Sequence, residues 1–308
     1  MQSWLIRAYG DPAEVARLED VRDPQAGASD VVLRVEAASV NPFDVKVISG
    51  AMKDFLPVDF PLALGHDAAG VIEQVGTHAG DFKLGERVLV NAGGGAFSRK
   101  LLAPAASVAR LPAEVSMIEG AALPTAAGTA WEALMEAAGL RSGQTVLVHA
   151  ASGGVGHFAV QIAHLAGARV IATTSAGNRD LVAGLGAEEV VDYHATDFRS
   201  VARDVDVVLD TRGGKTQAQS LEVLRRGGVL VSLTQPPDMA AAEARGIRAL
   251  QLQHKPSPAR LEKLAALVAE GRLRVVIDAG FPFAQLPRAL ERVGDGQARG
   301  KVVVEVGA

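Results

Sequence analysis

The chain has 308 residues, no cysteine, 48% hydrophobic and 21% charged residues, and 31 basic against 35 acidic side chains. This is the composition of an ordered globular protein with room for two domains or one large α/β domain. It excludes disulfides, thiolate metal sites and a cysteine nucleophile, and the balanced charge, with no basic run, argues against a nucleic-acid partner.

Met1 to Arg7 lacks the charged and apolar regions of a signal peptide. No window approaches the about 18 uninterrupted apolar residues of a membrane helix. A cytoplasmic protein with no membrane partner is therefore expected.

To about residue 118 the chain is strand-rich, with Val31–Ala37, Gly70–Val75 and Arg87–Val90 reading as strands. Asn41-Pro42, Phe60-Pro61 and Gly93 to Gly95 read as turns or loops between them. Residues 119–255 alternate strands and helices. Val146–Val148 is a short apolar run suited to a strand buried on both faces, followed by the turn Ala150 to Gly156. Val155, Phe158, Ala159, Ile162, Ala163 and Ala166 then recur at helical spacing, before a second strand at Val170–Thr173. Further strands are expected at Val190–Asp192, Val205–Leu209, Val229–Leu233 and Arg248–Leu252, with helices at Asn178–Leu185 and Thr216–Leu224. This is a doubly wound parallel sheet. From 256 to 308 an amphipathic helix, Arg260–Glu270, precedes strands at Val275–Ile277 and Val302–Val306 that flank a helix, Leu286–Val293. These pieces are too few for a third core and are expected to complete the first domain.

The strand–turn–helix unit supplies the first chemical expectation. A dinucleotide pyrophosphate is stabilised by free N–H groups and the dipole at a helix N-terminus. Gly153 and Gly154 leave room for the phosphates, and Gly156 lets helix and strand approach closely; Ser152 and Val155 belong to the same cradle. Ala151 stands where the fingerprint usually has its first glycine. The next strand ends Thr173-Thr174-Ser175 with no carboxylate before Asp180, whereas an NAD site places one there. Ser175, Asn178 and Arg179 suit a ribose 2′-phosphate, since guanidinium pairs with phosphate through forked hydrogen bonds. NADP(H) is the expected cofactor, the alternative being that Arg179 is a solvated residue in a first helical turn.

Five segments carry a resemblance: Ala37 to Asp44, Leu64 to Val71, Ala122 to Thr125 with Gly128 to Trp131, Ala150 to Gly156, and Arg299 to Val303. Over its full length the chain resembles the zinc-independent quinone oxidoreductase branch of the medium-chain dehydrogenase/reductases. The resemblance implies a GroES-like, mainly-β catalytic domain (1–118, completed by 256–308), a Rossmann domain (119–255), a cleft between them, and a homodimer. The zinc branch holds its metal at positions that here are Asn41, His66 and Thr125, too few strong ligands for a site that needs three. No metal is expected, and His66 reads as a packed or hydrogen-bonded residue.

Without a Lewis acid to stabilise an alkoxide, alcohol oxidation is disfavoured, while a quinone or α,β-unsaturated carbonyl can accept hydride on its own conjugated system. The resemblance implies that Asn41 lines the nicotinamide and substrate cleft, an Asn-Pro turn being the alternative. Asp44 is implied as a buried structural carboxylate or an ordering group. Thr129 is implied to contact the nicotinamide side, or to cap a helix; Tyr193 to touch the 2′-phosphate region, or to be a strand-end aromatic. Leu233 and Thr234 would line the nicotinamide through backbone groups. A non-catalytic NADPH-binding sensor or structural protein is the rival reading. An enoyl-thioester reductase is disfavoured because neither tyrosine, Tyr9 nor Tyr193, lies in the loop Ser49 to Phe60.

Overall fold

The structure, a computed structural model, describes residues 1–307. The chain divides into two compact units, Met1–Gly128 with the segment from Pro256 onward, and Thr129–Lys255.

In the first unit a seven-stranded sheet runs in the order Ile277–Pro282, Lys301–Glu305, Asp30–Val40, Asp67–Val75, Arg87–Asn91 and Val108–Arg110, with Lys100–Pro104 paired to Asp30–Val40. The closing strand pairs antiparallel with Ala37 to Val40, so the C-terminal segment supplies two strands of this sheet. A second, three-stranded sheet centres Gln2–Ile6 between Arg17–Asp20 and Leu62–Ala63. Alternating residues such as Val31, Leu33 and Val35 meet Ile6, Ile48, Phe97 and Val304 in the core. Each fully buried Leu, Ile or Val contributes about 1.5–3 kcal/mol there. The unit ends after residue 128 rather than 118, because the helix Met117–Ala122 packs on the Asp30–Val40 and Asp67–Val75 strands.

The second unit is a six-stranded parallel sheet ordered Glu189–Asp192, Arg169–Thr174, Thr145–Val148, Val205–Asp210, Leu224–Ser232 and Arg248–Gln251. Numbered along the chain this is the 3-2-1-4-5-6 order of a Rossmann fold. Val146–Val148 and Val207–Leu209 of the central strands are buried, which explains their unbroken apolar runs.

Three local expectations change. The helix expected over Thr216–Leu224 is Gly214–Ser220, because Leu224 already starts the fifth strand. The strand expected at Val275–Ile277 runs Ile277–Pro282 instead, paired to the closing strand. Asn41-Pro42 is no isolated turn: extended Asn41 and Pro42 start the helix Pro42–Ile48, proline's fixed φ suiting a first helical position. Among the described residues no helix is long and apolar enough to cross a membrane.

Candidate functional site

In the second unit the glycine turn joins Thr145–Val148 to the helix Gly156–Leu165. Ala150 sits at φ 47°, a left-handed conformation rare for a residue with a side chain. The turn is tight enough that a Cβ on Gly156 would lie 2.3 Å from the Ala150 carbonyl oxygen and 2.7 Å from Ala151 Cα. Gly153 is less confined, its Cβ falling 3.3 Å from the same oxygen. Glycine at 156 therefore brings the helix N-terminus, with its unsatisfied amides, against the strand end.

Beside the turn, three of the candidate cofactor residues meet. Asn178 Nδ2 donates to Ser152 Oγ (3.1 Å) and to Ser175 Oγ (3.2 Å), and Thr174 Oγ1 donates to Ser152 Oγ (3.0 Å). Among the described residues Asn178 Oδ1 is buried without a hydrogen-bond partner, an acceptor left for a donor from outside them. Arg179 is the first residue of the helix Arg179–Gly184 and donates one guanidinium N–H to the Val190 carbonyl (3.0 Å). Tyr193 is 53% exposed, stacks on His194, and donates its amide to the Thr174 carbonyl (3.2 Å) at the same strand ends. Leu233 donates its amide to the Asp210 carbonyl (2.8 Å), and Thr234 follows it, exposed, beyond the fifth strand. Asp192, in register with Thr174, is a carboxylate that the order of residues did not suggest; its Oδ1 accepts the His194 amide (3.1 Å). Thr129 is buried inside the helix Ala126–Trp131 and does not cap it.

Beneath the turn, His149 is buried, with Nδ1 3.0 Å from Thr173 Oγ1 and Nε2 2.9 Å from Ser220 Oγ. Desolvation lowers its pKa to about 4, against the opposing pull of Asp210.

The first unit holds a buried polar network around Asp67. Its carboxylate accepts from Asn41 Nδ2 (2.9 Å), Asn91 Nδ2 (3.1 Å), Thr125 Oγ1 (2.7 Å) and the Thr125 amide (3.1 Å). Asn41 Oδ1 accepts from the buried Lys301 Nζ (2.6 Å), which also donates to the Val40 carbonyl (3.1 Å). Asp44 accepts the Asn41 amide (2.7 Å) on Oδ2 and lies 2.5 Å from His66 Nδ1 on Oδ1. Desolvation lowers the His66 pKa, but the Asp44 hydrogen bond and the charges of Asp44 and Asp67 outweigh it and leave it raised. Desolvation holds that of Lys301 below the usual lysine value. Thus Asn41, His66 and Thr125 do come together, as amide, imidazole and hydroxyl already engaged by carboxylates and an ammonium. Among the described residues no group of three or more His, Cys, Asp or Glu side chains is arranged to hold a metal ion.

His66 and Asp44 border a recess of about 140 Å³ lined mainly by Val47, Leu56, Val58 and Leu62. Tyr9, outside the 49–60 loop in sequence, packs its ring on Phe60 (5.0 Å) and against Gly50.

Residues 27–113 match the alcohol dehydrogenase GroES-like domain family, and residues 185–304 the family described as zinc-binding dehydrogenase. A quinone-oxidoreductase homolog of Spinacia oleracea chloroplasts is 35% identical over 99% of this chain and 98% of its own. The chain belongs to the quinone oxidoreductase branch of the medium-chain dehydrogenase/reductases. Another relative, 2-methylene-furan-3-one reductase of Solanum lycopersicum, is 33% identical over 99% of this chain and 79% of its own. The Escherichia coli quinone oxidoreductase complexed with NADPH superposes with a TM-score of 0.91 at 25% identity, covering 99% of this chain and 100% of that one. An NAD-dependent alcohol dehydrogenase superposes at 0.92 with 28% identity, covering 100% of both chains.

This is therefore a member of an NAD(P)H-dependent oxidoreductase family, and its second unit fits such a cofactor. The Gly156 approach, the helix N-terminus behind it and the orphaned Asn178 Oδ1 form a cradle for a pyrophosphate and its adenosine ribose. Asp67 and Lys301 were not among the expected site residues, although each lies in one of the five segments. Lys301 belongs to the closing Arg299 to Val303 motif, yet its partner Asn41 is 260 residues away.

Proposed function

We propose that this quinone oxidoreductase family member is an NADPH-dependent, metal-independent reductase of quinones or α,β-unsaturated carbonyls. The observation that carries this reading is the network on Asp67. By resemblance, Asn41, His66 and Thr125 stand at the metal-holding positions of the zinc branch but offer only an amide, an imidazole and a hydroxyl, and Lys301 Nζ lies 2.6 Å from the Asn41 amide oxygen. An unactivated alcohol would lack alkoxide stabilisation here. A conjugated acceptor carries its own electron sink and needs mainly orientation and exclusion of water.

NADPH, when bound, supplies the hydride; the chain's residues bind and orient. Ser152, Gly153, Gly154, Val155 and Gly156 would hold the pyrophosphate, and Ser175, Asn178, Arg179 and Tyr193 the 2′-phosphate end. The Arg179 guanidinium keeps N–H donors beyond the one given to Val190. Thr129, Leu233 and Thr234 would face the nicotinamide side. Asn41 is assigned a positioning part, since its amide nitrogen and oxygen are held by Asp67 and Lys301. Family resemblance alone carries association as a homodimer, which sedimentation would check. The acceptor reading is tested by NADPH oxidation over quinones, enones and enoyl thioesters. Tight NADPH binding without turnover on any of them would replace it with a sensor or structural protein.

A further inference from the structure

We propose that His66, oriented by Asp44, donates the proton that completes reduction of the acceptor, whose carbonyl end occupies the apolar recess of the first unit. The inference rests on the reductase reading above. Three observations carry it. The His66 ring is fixed on one side by Asp44 Oδ1, 2.5 Å from Nδ1, and on its face by Phe43 in edge contact at 4.9 Å. Among the described residues Nε2 has no hydrogen-bond partner and is not a buried orphan, and the side chain is 19% exposed, so this edge is open. The recess that His66 borders is otherwise lined by apolar side chains and glycines, apart from Asp44 itself.

The charged groups around the ring favour its imidazolium form. Asp44 on the helix and Asp67 on its strand are anionic neighbours, and the ammonium of Lys301 on the closing strand faces both through Asn41. Desolvation opposes this form, but the Asp44 hydrogen bond and the charges of Asp44 and Asp67 outweigh it and raise the His66 pKa.

The step balances as follows for an enone. With hydride delivered to the β-carbon, a C–H bond forms and the conjugated electron pair moves onto the carbonyl oxygen. That oxygen takes the proton as the His66 Nε2–H bond breaks, giving an enol that tautomerises in water. The acceptor gains two electrons, the nicotinamide loses them, and the neutral imidazole regains a proton from water at its open edge.

The test uses His66→Gln, Asp44→Asn and Tyr9→Phe, with folding and NADPH binding checked first. Wild-type kcat with an enone should fall as pH rises through the raised His66 pKa. His66→Gln should lose this limb and about 10²-fold in kcat, with much less loss on an electron-poor quinone whose reduced form is weakly basic. Independently of turnover, ¹⁵N-histidine NMR of the cofactor-free wild type should show His66 titrating above 6.5, the ordinary value, and lower in Asp44→Asn. Wild-type turnover with an unchanged pH profile in His66→Gln overturns the proposal and leaves the reductase reading standing. So does a His66 that titrates below the ordinary value, or a limb lost in Tyr9→Phe instead. Failure of the wild type on every quinone and enone overturns both.

Discussion

Lys301 Nζ lies 2.6 Å from Asn41 Oδ1, joining the closing strand of the chain to the N-terminal cap of the helix Pro42–Ile48. The bond fixes which way the Asn41 amide faces, so that its nitrogen meets Asp67. Lys301→Met would remove the donor to Asn41 and Val40 and leave the carboxylates without their buried cation. Losing a hydrogen bond from a charged group, with its acceptor left buried, costs about 1.5–3 kcal/mol. The urea midpoint should fall with an unchanged slope; a midpoint within error of wild type would mean the network is not coupled through Lys301.

Arg179→Ala separates cofactor recognition from fold. Loss of charged hydrogen bonds to a 2′-phosphate should weaken NADPH by about 1.5–3 kcal/mol and leave NADH nearly unchanged. Isothermal titration with both cofactors decides it. Equal loss for both would move specificity away from the end of the second Rossmann strand, for instance to Asp192.

The turn itself can be probed by one methyl group. Gly156→Ala puts a Cβ 2.3 Å from the Ala150 carbonyl oxygen, so the helix must move off the strand. NADPH affinity should drop at least tenfold. Gly184→Ala, where an added Cβ meets nothing within 4 Å, should bind NADPH normally and gain about 0.5–1 kcal/mol of stability. Similar affinities in the two variants would dissociate the close approach from cofactor binding.

His149 makes the nucleotide unit acid-sensitive. Its folded pKa of about 4 lies below the ordinary 6.5. Above 6.5 both folded and unfolded chains hold it neutral; as pH falls, the unfolded chain takes the proton first. Stability should decline between these values, by about 3 kcal/mol at the lower end. Urea unfolding at pH 7 and pH 4.5, with wild type beside His149→Asn, should show the decline smaller in the variant.

These sites differ in how visible they are along the chain. The Rossmann strands were legible because apolar runs and a glycine turn are local signals. The Ser152, Ser175 and Asn178 cluster was legible for the same reason, all three lying within one βαβ unit. Asn41-Pro42 read as a turn, whereas the Asp44 carboxylate accepting the Asn41 amide marks the start of the helix Pro42–Ile48. The alternative that Thr129 caps a helix fails, because the helix already begins at Ala126. The Asp67 network had no local signal. Its members lie on strands and a helix that only tertiary pairing brings together, and a buried lysine looks in sequence like a solvated one.

The central claim is hydride transfer from NADPH to a conjugated acceptor. The direct measurement is turnover of an enone with NADPH deuterated at the transferring C4 position, followed by mass spectrometry and NMR of the product. The account predicts one deuterium at the β-carbon and a solvent-derived hydrogen at the α-carbon. NADPH consumed with no deuterium in the product, or no consumption with any quinone or enone, would contradict it.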